Sequence, residues 1–159
     1  MHEISQILIP ERSRVRRALG VLGLRYPNGL DWLERRLDDI ESGRAQLWQA
    51  GLGKFASGWA IVTPKGLHEA KLSTIFIAPS ARGRGLGHQL IDVVSAELRH
   101  HDIFSARVTV DENDNATRGF FESVGFRLLP DSRRQYGARF DCAYSLDLDA
   151  PSLLAVTAH

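Results

Sequence analysis

Apolar and polar positions change period several times along this chain, and each change marks an element. Ile4 to Ile9 reads as a first strand, and Pro10 with Glu11 opens an arginine-rich helix to about Leu22, since proline suits a first helical turn. Tyr26-Pro27-Asn28-Gly29 is turn chemistry, after which Leu30, Leu33, Leu37 and Ile40 recur at helical spacing on a segment ending near Gly43. Ala45 to Ala50 and Phe55 to Thr63 form an antiparallel pair around Gly51-Leu52-Gly53. Pro64-Lys65-Gly66 then turns the chain into a fourth strand that ends at Pro79. Leu86, Leu90, Ile91, Val94 and Leu98 predict an amphipathic helix closed by Arg99 to Asp102. Phe104 to Val110 is β-rich, Asp114 to Val124 a short helix bearing Phe120 and Phe121, and Gly125-Phe126 launches a further strand before Arg139 to Leu148 completes the sheet. Strands first, then mixed βα units, give an α+β fold.

The segment between the fourth strand and the third helix carries chemistry. Gly83, Gly85 and Gly87 interrupt Ala81-Arg82-Gly83-Arg84-Gly85-Leu86-Gly87-His88, where a buried strand meets a helix start. Glycines let the backbone approach a ligand, and the first helical turn offers unpaired N–H groups with partial positive charge. An anion belongs there. A nucleotide-binding Walker loop needs Lys and then Ser or Thr after its last glycine, whereas His88 and Gln89 follow here. A dinucleotide fingerprint needs G-x-G-x-x-G, which glycines at every second position do not supply.

Arg82-x-x-Gly85-x-Gly87 after an Ile-Phe-Ile-x-Pro strand resembles the acyl-CoA motif of the GNAT superfamily of N-acyltransferases. The resemblance implies a GNAT-like α+β domain over residues 1–148. Its central sheet would be mixed, mostly antiparallel, of six to seven strands flanked by about four helices. It also implies that backbone N–H groups of Arg82, Gly83, Arg84, Gly85, Leu86, Gly87 and His88 grip the CoA pyrophosphate. Ile75, Phe76 and Ile77 would then lie along the pantetheine arm, with main-chain groups of Ile75 and Ile77 pairing with it like an added strand.

A second stretch, Asp111-Glu112-Asn113-Asp114-Asn115-Ala116 followed by Phe120-Phe121-Glu122-Ser123-Val124-Gly125-Phe126, is similar to the family's second motif. There an asparagine bonds the pantetheine and an aromatic pair follows. Asn113 keeps the spacing to Ala116, Asn115 is the fallback, and counting back from the aromatics reaches Asp114 instead. Phe120 and Phe121 join the coenzyme set. Phe121 stands where many members carry a tyrosine that protonates the leaving thiolate, and phenylalanine has no proton to give. Water would then serve, or a hydroxyl of Tyr136, Tyr144 or Ser123; without either, the chain would bind acyl-CoA as a non-catalytic or regulatory module.

The amine nucleophile must also lose a proton. Strand alternation puts Glu69, Lys71 and Ser73 on one face and His68 on the other, so Glu69 is the better-placed base and Ser73 its neighbour. The competing role for Glu69 is a surface carboxylate pairing with Lys71. His100 and His101 at a helix end point in different directions, and no ligand set has zinc spacing, so no metal is expected. Trp32, Trp48 and Trp59 are scattered across three elements, which favours core roles over an aromatic patch.

Composition sets the outer limits. A chain of 159 residues, 43% hydrophobic, suits one domain, with 149–159 as a loosely held tail. No apolar run approaches the roughly 20 residues that span a bilayer, and no leader-like apolar core opens the chain, which points to the cytoplasm and to no membrane partner. Cys142 alone cannot form an internal disulfide and is expected to pack in a strand. Net charge is +1 and the lysines are only Lys54, Lys65 and Lys71, so bulk nucleic-acid affinity is not indicated. Local clusters at Arg12, Arg14, Arg16 and Arg17 and at Arg133 and Arg134 are either solvated faces or a surface for an acidic protein or nucleic-acid acceptor. A late strand at a sheet edge leaves room for a homodimer. The expected activity is transfer of an acetyl group from acetyl-CoA to a primary amine by direct attack in a ternary complex, and residues 10 to 45 and 130 to 140 match no motif that would name the acceptor.

Overall fold

Eight strands and four α-helices follow one another in the computed structural model, which describes residues 3–25 and 28–149. The expected turn at Tyr26-Pro27 and residues 150–159 of the expected tail lie outside the described residues. The chain divides into two compact units, Met1–Pro64 with Leu72–Val94, and Lys65–Lys71 with Ser95–His159.

In the first unit, β1 (Ile4–Ile7), β2 (Gln46–Ala50) and β3 (Gly58–Lys65) pair antiparallel in that order, and β4 (Glu69–Ile77) lies next to β3. The helices α1 (Arg12–Leu19) and α2 (Gly29–Glu41) bury Val15, Leu19, Leu33, Leu37 and Ile40 against Leu47, Trp59 and Ile61 of the sheet. These are the residues that the helical and strand periods placed on inward faces. Trp48 and Trp59 are buried and Trp32 packs against the same core, so the tryptophans are framework.

β1 stops two residues earlier than its apolar run. Ile7 pairs with Leu47 near the start of β2, so Leu8 and Ile9 have no facing strand and stand 69% and 83% exposed. Phe55, expected in β3, sits in a 3₁₀ turn over Gly53–Phe55.

Three of the four arginines of α1 are paired within the fold. Arg12 donates to Glu34 at 3.1 Å, to Asp38 at 2.7 Å and to Glu41 at 2.8 Å; Arg16 pairs with Glu34 and Arg14 with Glu11. Of the cluster that the sequence left as either a solvated face or a surface for an acidic partner, Arg12 and Arg16 are thus answered by acids of α2. Hydrogen bonding from Arg16 holds Glu34 below the usual carboxylate range, and Arg12 does the same to Glu41. A carboxylate depressed in the folded state stabilises it above the unfolded pKa of about 4.3 and stops doing so as pH falls through the folded value. Arg12→Met should thus melt below wild type at pH 7, with the gap closing beneath about pH 4, and equal gaps at pH 3 and 7 would contradict the network's role.

The second unit pairs the start of β4 in parallel with β5 (Ser105–Asp111), and β5 antiparallel with β8 (Arg139–Asp147). The short β6 (Arg127–Leu128) and β7 (Arg134–Tyr136) both pair with β8. The sheet is thus mixed and mostly antiparallel as expected, with eight strands rather than six to seven. β7 escapes a reading of the sequence because all three of its residues are exposed, leaving no apolar alternation to detect. Alternate residues Ala106, Val108 and Val110 are buried along β5, facing Cys142 and Tyr144 of β8 in register. Cys142 packs there as expected, its thiol raised above its ordinary pKa chiefly by burial. The third helix, α3 (Leu86–His100), and the fourth, α4 (Asn115–Ser123), complete the set. No helix among the described residues is long and apolar enough to cross a membrane.

Candidate active site

β4 delivers the chain to the glycine turn. Ala70 and Leu72 are buried while Glu69, Lys71 and Ser73 are half-buried between them, as alternation requires. Ser73 Oγ lies 3.0 Å from Thr63 Oγ1. The Glu69 carboxylate stands 3.7 Å from Arg107 Nη1 of β5.

At the far end of β4, Phe76 packs beside Trp59 with ring centroids 6.3 Å apart. Arg82 folds back over Phe76, its guanidinium 5.4 Å from the ring, and its Nε donates to Ile77 O at 2.9 Å. The Arg82 N–H is turned to Pro79 O at 3.4 Å, closing the 3₁₀ turn Pro79–Ala81. The motif's arginine is therefore a brace between strand and turn, and its N–H, expected in the pyrophosphate-gripping set, is turned to Pro79 O. One lone pair of Ile77 O is likewise already taken.

Gly83 and Gly85 both adopt φ +78°, a left-handed conformation that only glycine takes cheaply, and a Cβ at either would meet nothing within 4 Å. They are required by backbone conformation, not by crowding. Gln89 N–H donates to Gly85 O at 3.1 Å, so the ladder of α3 starts there and the amides of its first turn face outward from the helix end. Gly58 on β3 seats that end: a Cβ there would lie 3.0 to 3.2 Å from Leu90, Ile77 and Leu86 side chains.

In the second unit the connection from β5 to α4 is pinned from several sides. Asn113 N–H donates to Asp111 Oδ1 at 3.0 Å, and Glu112 N–H to Phe140 O at 3.0 Å. Asp114 caps α4, accepting from Thr117 N–H at 3.1 Å and from the Thr117 hydroxyl at 2.7 Å. The Asp114 carboxylate is thus committed to the helix, while Asn113 and Asn115 are exposed. Arg118 donates through Nη1 to Glu112 O at 2.9 Å and through Nε to the Tyr144 hydroxyl at 2.9 Å. The Tyr144 hydroxyl in turn donates to Glu122 Oε1 at 2.9 Å. Arg133 grips the Glu112 carboxylate with two bonds of 2.7 and 2.8 Å while lying 3.6 Å over the Phe140 ring. This pairing holds Glu112 below the usual carboxylate range and engages Arg133, while Arg134 donates to the carbonyls of Asp131 and Arg133.

Two aromatic expectations change. Phe121 is 2% exposed, edge-on to Phe120 and Phe126 at 5.2 and 5.1 Å, so its ring belongs to the core and is withdrawn from the coenzyme-contacting set. Phe120 beside it is half-buried. Tyr144, one of the hydroxyls offered as a replacement acid, is fully buried with its proton already given to Glu122, and burial raises its pKa further. Ser123 donates to Phe120 O at 2.6 Å, whereas Tyr136 on β7 is 59% exposed. Reading the sequence missed Arg118 and Glu112 altogether; the i, i+4 spacing of Arg118 and Glu122 was the one available signal.

Among the described residues no group of three His, Cys, Asp or Glu could hold a metal ion, and His101 pairs with Glu97 at 2.9 Å. A cleft of about 270 Å³ in the first unit, bounded by Arg14, Arg17, Lys54 and Trp59, includes none of the predicted catalytic or coenzyme residues.

A family model described as an acetyltransferase (GNAT) domain matches residues 31–141. Among solved structures the chain is similar to a GNAT-family protein from Desulfovibrio desulfuricans, with TM-score 0.81, 20% identity, and coverage of 93% of this chain and 99% of that one. It is similar to the ribosomal-protein-S18-alanine N-acetyltransferase of Escherichia coli, with TM-score 0.75, 20% identity, and coverage of 96% and 97%. A GNAT family acetyltransferase from Elizabethkingia anophelis, solved with acetyl-CoA bound, gives TM-score 0.59, 13% identity, and coverage of 71% and 82%. At these identities the likeness is one of fold.

Proposed function

Because this chain belongs to the GNAT family of acetyltransferases, we propose that it transfers an acetyl group from acetyl-CoA to a primary amine by direct attack within a ternary complex. The observation that carries the donor half is the glycine turn after β4, with Gly83 and Gly85 held at φ +78° ahead of the first turn of α3. Amides from Gly83 to His88 would take the pyrophosphate, the main chain of Ile75 to Ile77 the pantetheine, and Asn113 its amide groups. A main-chain N–H on the thioester oxygen would stabilise the charge that develops there.

In the reaction the amine nitrogen attacks the thioester carbonyl carbon, the C–S bond breaks, and the electron pair leaves on sulfur. An acceptor that arrives as an ammonium ion first gives one proton to a base, for which Glu69 is the candidate; after attack the nitrogen loses a second to water, and the thiolate takes a proton from water or from Tyr136. With Phe121 enclosed and Tyr144 committed, neither supplies it. Phe121→Tyr should therefore not raise kcat, and its buried hydroxyl should cost about 1–3 kcal/mol of stability for want of a partner. A tenfold gain in kcat on a steady-state assay would show instead that this position reaches the sulfur.

The overall reading is tested with purified protein, acetyl-CoA and a panel of small amines, lysine peptides and peptides with a free N-terminal alanine. The last are included because a protein of the same fold acts on such a residue. Acceptor-dependent thiol release supports transfer, and binding of acetyl-CoA without release on any acceptor would reduce the chain to a binding module.

A further inference from the structure

We propose that Arg118, Tyr144 and Arg133 are positioning residues that pre-set the Glu112–Asn113 turn for the pantetheine arm. This rests on the assignment of Asn113 as a coenzyme contact. The turn is only three residues long, lies between the end of β5 at Asp111 and the start of α4 at Asn115, and has no strand partner of its own for Asn113. Such a segment would ordinarily lose roughly 1–2 kcal/mol of backbone freedom per residue on gripping a ligand, which weakens binding. Here hydrogen bonds within the protein supply that ordering.

The restraints converge on Glu112 from two directions. Arg118 fixes its carbonyl oxygen at 2.9 Å, and Arg133 fixes its carboxylate with a bidentate pair, itself stacked on Phe140. Arg118 is in turn aimed by Tyr144, the fully buried β8 hydroxyl that accepts from Nε and donates its own O–H to Glu122. A guanidinium is planar, so fixing Nε fixes the direction of Nη1. Tyr144 therefore acts on Asn113 through two hydrogen bonds and one peptide unit, without touching the coenzyme. Its place in the chemistry changes from spare acid to holder of the turn.

The test is a titration of acetyl-CoA by calorimetry, with steady-state kinetics, on wild type, Asn113→Ala, Tyr144→Phe, Arg133→Gln and each of the last two combined with Asn113→Ala. Tyr144→Phe and Arg133→Gln are expected to raise Kd and KM for acetyl-CoA by about 3- to 30-fold with kcat at saturation within about twofold, and to add nothing further once Asn113 is alanine. Arg133 is exposed, so its variant reports even if Tyr144→Phe folds poorly. If Asn113→Ala weakens binding while folded Tyr144→Phe and Arg133→Gln do not, the positioning role is wrong and the Asn113 assignment stands. A loss of equal size in the Asn113→Ala background also overturns it, since that pattern marks a generic effect on α4. If Asn113→Ala leaves Kd unchanged, the assignment fails and the inference with it.

Discussion

Gly85→Glu is expected to lower acetyl-CoA affinity by at least about 100-fold while leaving the protein folded, which corresponds to about 2.7 kcal/mol of binding free energy. Two effects add. A non-glycine residue in the left-handed region costs roughly 1–2 kcal/mol, so the variant tends to rearrange the turn away from φ +78°. On the proposed site the new carboxylate would then stand against the diphosphate, and two like charges 4 Å apart repel by about 4 kcal/mol at an effective dielectric of 20. The fold survives because a Cβ at Gly85 meets nothing within 4 Å, so no core contact is displaced. Gly87 lies inside α3 and carries no such φ requirement, so Gly87→Ala should bind nearly as wild type. Calorimetry on the two variants, with circular dichroism to check folding, separates what is particular to Gly85 from a general effect of substitution in the turn; a Gly85→Glu protein that binds acetyl-CoA as tightly as wild type would remove the cradle from the coenzyme site.

That turn was legible in the sequence because its glycines answer a backbone requirement that nothing else satisfies. The neighbouring arginine was legible only as a motif letter: its use as a brace on Ile77 O and Phe76 depends on how the chain doubles back after Pro79. Arg12 and Arg16 show no partners in the sequence because their acids on α2 are 18 to 29 residues away, a separation across which a linear sequence shows no complementarity. Counting along the second motif favoured Asn113, with Asn115 as fallback and Asp114 reached from the aromatics, and only the hydrogen bonds from Thr117 to Asp114 show which of them is occupied by capping α4. Phe121 is the opposite case. Its position in the motif was plain, yet the enclosure by Phe120 and Phe126 that decides its role follows from packing.

Glu69→Gln is expected to lower kcat by about 10²–10⁴-fold at neutral pH with acetyl-CoA affinity unchanged, the range that general-base catalysis usually supplies. Glu69 sits at the start of β4, its side chain 42% exposed, where an acceptor amine could reach the carboxylate. Its contact with Arg107 at 3.7 Å is long for a hydrogen-bonded pair, and exposed pairs of that kind add little to stability. If the ion pair were the whole of its role, Arg107→Ala would reproduce the effect of Glu69→Gln and neither would change kcat greatly. The pH profile separates the two roles further. A primary amine of ordinary pKa near 10.4 arrives protonated at pH 7 and needs a base, but arrives neutral as pH approaches that value, so the deficit of Glu69→Gln should shrink as pH rises. A deficit that stays constant from pH 7 to 10 would mean that Glu69 does not handle the acceptor's proton, and would turn attention to Tyr136 or to water held near Ser73.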